Sequence, residues 1–229
     1  MQPVYEDNHI IVVNKLPGEI VQGDKTGDTP LCDMVKAYLK EKYAKPGNVF
    51  CGVVHRLDRP VGGLVIFAKT SKALTRLNEM FRKGQVRKTY WAITHGTPPK
   101  ENDRLTGLLK SVERNNKSYL VSPGSKEAAD AKECALSYRL IAKGKTCNLL
   151  EVNLETGRKH QIRVQLASIG CPVKGDLKYG DRRSNPDGGI SLIARRLEFV
   201  HPVSGMKIDL TAPLDDLDPL FATLSQSIE

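Results

Sequence analysis

The chain has 229 residues, 40% hydrophobic and 27% charged, and its 35 basic against 26 acidic side chains give a formal charge of +9. That balance excludes a disordered tail, a collagen-like fibre and a disulfide scaffold, and leaves enough chain to bury a sizeable core. No run approaches the roughly 18 apolar residues of a membrane helix, and Glu6, Asp7 and Asn8 stand where a signal peptide would be basic and then apolar, so a cytoplasmic protein without a membrane partner is expected.

In chain order, Val4 to Lys15 reads as a strand centred on Ile10-Ile11-Val12-Val13. Thr29 caps and Pro30 opens a helix whose Leu31, Met34, Val35, Tyr38 and Leu39 form one apolar stripe. Leu64 to Ala68 is a short buried strand. Ser71 caps a second helix with Leu74, Leu77 and Phe81 inward and Gly84 at its end. Val86 to Thr94, Ala135 to Ala142 and Thr146 to Leu154 are further strands. Between them, the polar span 97–130 reads as a loop or small hairpin insertion around Ser118 to Val121. Lys159 to Ser168 forms a helix closed by Gly170, and 175–189 is irregular. Leu197 to Val200 and Lys207 to Leu210 flank a hairpin turn, and Asp215 to Leu224 can form a terminal helix. Without a repeating βαβ rhythm, the fold class is α+β, a mixed and largely antiparallel sheet with flanking helices, expected as one domain over 1–229.

The five cysteines, Cys32, Cys51, Cys134, Cys147 and Cys171, include no CxxC pair. Reduced, mostly buried thiols are expected rather than bridges or a zinc ribbon. Gly144-Lys145-Thr146 ends like a phosphate-binding loop but lacks its first glycine, and no GxGxxG or HExxH occurs. The basic excess suits a polyanion, because lysine and arginine release counterions from a phosphate backbone; charge alone does not separate RNA from DNA.

Two stretches place polar residues where a fold favours apolar ones. His55-Arg56-Leu57-Asp58-Arg59-Pro60-Val61-Gly62-Gly63 sets a carboxylate in a turn with arginine on both sides. Nearby guanidinium groups favour its ionised form, as a nucleophile or base requires; a salt-bridged surface turn is the alternative. Glu155-Thr156-Gly157-Arg158-Lys159-His160-Gln161-Ile162-Arg163 crowds donors at a helix start, which suits phosphate or a carboxylate; a solvated basic turn is the alternative. A third stretch, Arg87-Lys88-Thr89-Tyr90-Trp91-Ala92, combines basic and aromatic residues on a strand, for packing or for stacking on a base.

Together the three stretches resemble the RluA family of RNA pseudouridine synthases. His55 to Arg59 is similar to that family's HRLDR motif, Arg87 to Ala92 to its tyrosine motif, and Thr156 to Arg163 to its TGRxHQIR motif. Gly170-Cys171-Pro172-Val173 to Tyr179-Gly180 resembles its GHPIxGDxxYG run, and His201-Pro202, Gly205 and Ala212-Pro213-Leu214 its C-terminal hairpin. Pro60-Val61-Gly62-Gly63 stands where Asp-Thr-Ser-Gly is usual, and Gln165 and Cys171 replace histidines. The resemblance implies isomerisation of uridine to pseudouridine in tRNA or rRNA, without cofactor or metal; a monomer is expected, with no N-terminal S4-type domain. It implies Asp58, Tyr90 and Arg163 as catalytic residues, with Asp58 in an arginine-flanked cleft, and Arg56, Arg158 and His160 as substrate contacts. Arg56 would fill the stack left by a flipped uridine, and Arg158 and His160 would hold phosphates. The rival readings are a catalytically silent RNA-binding protein and a hydrolase pairing Asp58 with Glu155.

Overall fold

The computed structural model describes residues 2–215 and 217–226. The chain divides into two compact units, Met1–Lys88 with Ala194–Pro213 and Thr89–Ile193 with Leu214–Glu229. The first opens with β1 (Pro3–Glu6) and β2 (Ile10–Lys15). They are two antiparallel strands rather than the single one expected, because the Asp7 carboxylate accepts the backbone N–H groups of His9 and Ile10 and folds the chain back.

Helix α1 (Leu31–Lys42) starts one residue later than expected, and Thr29 does not cap it. Its first N–H groups are satisfied by backbone instead: Leu31 donates to Ile20 and Cys32 to Val21. Leu31, Cys32, Val35 and Leu39 are buried, whereas Met34 is exposed. After β3 (Gly52–Val53) comes β4 (Gly62–Ala68), buried at all seven positions. Gly63, at φ +109°, shows why glycine stands there: an added Cβ would lie 2.4 Å from the Ala194 nitrogen and 2.5 Å from its carbonyl oxygen. Helix α2 (Ser71–Arg82) is capped by Thr70, not Ser71; its side chain accepts the Ala73 N–H.

The second unit carries β5 (Arg87–Thr94, which begins in the first), β6 (Asn102–Val112), β7 (Lys117–Val121), β8 (Lys132–Lys143) and β9 (Asn148–Leu154). They lie in the order β5-β9-β8-β6-β7, all antiparallel. The span read as a loop or small hairpin around Ser118 to Val121 holds the hairpin β6–β7, longer than expected, with β6 paired to β8 over eight positions. Helix α3 (Gln161–Ser168) packs Val164 with Leu109, Cys134 and Tyr179.

Strand β10 (Leu192–Val200) returns the chain to the first unit and pairs antiparallel with β11 (Lys207–Thr211), as the hairpin signal indicated. There the sheet order is β1-β2-β4-β10, with β3 beside β4. Ile10, Val12, Leu64 and Ile66 pack with Leu77, Leu197 and Phe199 in its core. Of the terminal helix expected over Asp215 to Leu224, α4 (Leu220–Ser225) is helical, and Asp216 lies outside the described residues. Among the described residues no helix is long and apolar enough to cross a membrane. All five cysteines are free thiols.

Candidate active site

In the first unit, His55 to Arg59 links β3 to β4. Asp58 is half-buried, and its carbonyl accepts the Val61 N–H at 3.0 Å, closing a turn around Pro60. Lys15 supports this turn from inside. It has no solvent exposure, and its ammonium donates to the carbonyls of Leu16 (3.0 Å), Arg59 (3.0 Å) and Val61 (2.7 Å). Burial pulls its pKa down to about 8, against the opposing pull of the Glu19 and Asp58 charges.

The motif's other ionisable groups have separate tasks. The His55 ring stacks on Phe81 at 4.7 Å between centroids, and its Nε2 accepts the Ile66 N–H of β4 at 3.1 Å. Part of the residue reaches the surface, but the ring is closely packed. Desolvation, with a smaller push from Lys88, lowers its pKa to about 3, so it is a neutral acceptor at physiological pH. Arg59 reaches Asp28 at 2.6 Å and Thr26 at 2.7 Å, which is the salt-bridged turn the sequence left open. Arg56 is exposed.

In the second unit, Tyr90 lies buried on β5 opposite Val152 of β9. The donors before α3 divide. Arg158 and Lys159 are exposed, with Arg158 Nε on the Glu133 carbonyl at 3.0 Å. His160, at φ +56°, turns the chain sharply, and His160, Gln161 and Arg163 are buried. The Gln161 carbonyl oxygen accepts from Thr156 and from the Arg158 N–H, while its amide donates to Ala135 and to Gln165. His160 Nδ1 lies 2.7 Å from the Tyr179 hydroxyl. Arg163 forks onto Asp176, Nε to Oδ2 at 2.6 Å and Nη2 to Oδ1 at 2.8 Å. The left-handed turn therefore aims inward most of the donors expected to meet phosphate.

Lys15, Asp176 and Tyr179 carry much of this geometry, and no role was read for them from sequence. Lys15 signals itself only as a charge ending a strand with an apolar centre, and the other two lie in the run before Gly180. Glu155, the hydrolase candidate, is exposed and held by Nε and Nη2 of the Arg104 guanidinium at 2.8 and 2.7 Å. Among the described residues no group of three or more His, Cys, Asp or Glu could hold a metal.

The fold and these motifs define an RNA-modifying isomerase: the chain belongs to the RNA pseudouridylate synthase family, whose model matches residues 9–168. Within it the chain is of the RluA type. It is 32% identical to ribosomal large subunit pseudouridine synthase D of Zymomonas mobilis over 98% of this chain and 73% of that one. It is 31% identical to ribosomal large subunit pseudouridine synthase C of Buchnera aphidicola over 93% and 67%. The structure of human RNA pseudouridylate synthase domain containing 4 matches with a TM-score of 0.79 at 23% identity, over 99% of this chain and 92% of that one, a likeness of fold.

Proposed function

We propose that this chain isomerises uridines of large-subunit ribosomal RNA, with Asp58 as the catalytic carboxylate. The observation that carries the reading is the family match over residues 9–168, a span holding the motifs of Asp58, Tyr90 and Arg163. The choice of ribosomal RNA follows the names of the relatives above. The reaction breaks the bond from N1 to C1′, turns the held uracil and joins C5 to C1′; C5 gives up its proton and N1 gains one. Asp58 acts on the sugar. The Arg163 guanidinium balances its charge and the charge developing in the base. Tyr90 stacks on the uracil and takes part in moving the C5 proton. A paired or stacked uridine must first leave its stack, at about a few kcal/mol, and the exposed Arg56 supplies a plane to fill the gap. Arg158 holds phosphate. His160, buried against Tyr179, positions this segment instead of meeting phosphate.

The test is pseudouridine mapping by carbodiimide-blocked reverse transcription in cells with and without the gene. Stops lost from large-subunit ribosomal RNA, and restored by the purified protein on the unmodified transcript, are expected. Stops lost only from tRNA would overturn the substrate assignment.

A further inference from the structure

Tyr179 ends a short turn, Leu177–Tyr179, in a loop that doubles back on itself: the N–H groups of Tyr179 and Asp181 both donate to the Asp176 carbonyl. The loop therefore holds Asp176 and Tyr179 as one unit. Arg163 meets both, its fork on Asp176 and its Cζ 4.9 Å from the Tyr179 ring centroid. Lys117 of β7 also stands over that ring, at 5.3 Å. The Tyr179 hydroxyl accepts the Ser118 N–H at 2.8 Å and meets His160 Nδ1 at 2.7 Å.

We propose that Tyr179 is a positioning residue for Arg163. The carboxylate of Asp176 holds one edge of the guanidinium, and the aromatic ring against its Cζ holds the face of the plane. The proposal rests on the reading of Arg163 as the charge partner in catalysis.

The test is a double-mutant cycle read by single-turnover pseudouridine formation, RNA affinity and thermal midpoint. Tyr179→Leu is expected to lower the rate about 10- to 100-fold, the scale of a misplacement near 1 Å, with affinity unchanged within about twofold. Tyr179→Phe keeps the ring and is expected within about threefold of the wild-type rate. In an Arg163→Lys background, which has a cation but no plane, Tyr179→Leu is expected to cost less than about twofold more. Equal losses in both backgrounds would overturn the proposal, as would a tenfold loss for Tyr179→Phe, which reads out even if the leucine variant fails to fold. Arg163→Met at the wild-type rate would instead overturn the underlying reading of Arg163.

Discussion

His55 stands three residues before Asp58, and its chemistry is set by what it touches. A ring pressed on Phe81 and accepting from Ile66 cannot carry a proton cheaply, so its pKa falls from 6.5 to about 3. In the unfolded chain it protonates near 6.5. Between these values the unfolded state binds the extra proton, and stability falls as pH drops from 6.5 towards 3. His55→Asn is accordingly expected to be less stable at pH 7 but to show a shallower loss from pH 6.5 to 4.5, measured by urea unfolding. An unchanged pH slope would show that His55 is not held neutral. The turn that carries Asp58 could be read from sequence because Pro60 and Val61, which close it, are local. The roles of His55 and Lys15 could not, because Phe81 and the Val61 carbonyl are supplied from 26 and 46 positions away.

Strand β4 was legible because an apolar run buried on both faces has few other uses, and the β10–β11 hairpin because turn residues separate its strands. The β1–β2 break and the full length of β6, beyond the small hairpin expected around Ser118 to Val121, were not. One depends on a single Asp7 side chain. The other is a polar sequence whose order comes from pairing with β8, far along the chain. Helix starts were off by a residue or two where backbone groups served as caps. Gly63 is an element-scale constraint, since β4 and the first residues of β10 within the same unit approach too closely there for any side chain. Gly63→Ala is expected to destabilise by about 3 kcal/mol or more, from backbone strain and overpacking together. A urea-unfolding change below about 1 kcal/mol would show that the two backbones can separate without loss.

At the scale of the whole molecule, the α+β class followed from the lack of a βαβ rhythm. The two units did not, because the first is assembled from segments more than a hundred residues apart. The HRLDR-like motif lies in the first and the TGRxHQIR-like motif in the second. The net charge of +9 belongs to the same scale. RNA affinity should fall linearly on a log–log plot against salt, and Arg158→Ala should weaken binding and flatten that slope by about one; an unaltered slope would remove Arg158 from the phosphate contacts. The most direct test of the enzyme is tritium release from C5-labelled uridine in target RNA by Asp58→Asn. Release at the background of RNA alone, with binding kept within about a few fold, is the expected result. Clear turnover by that variant would show that Asp58 is not the catalytic carboxylate.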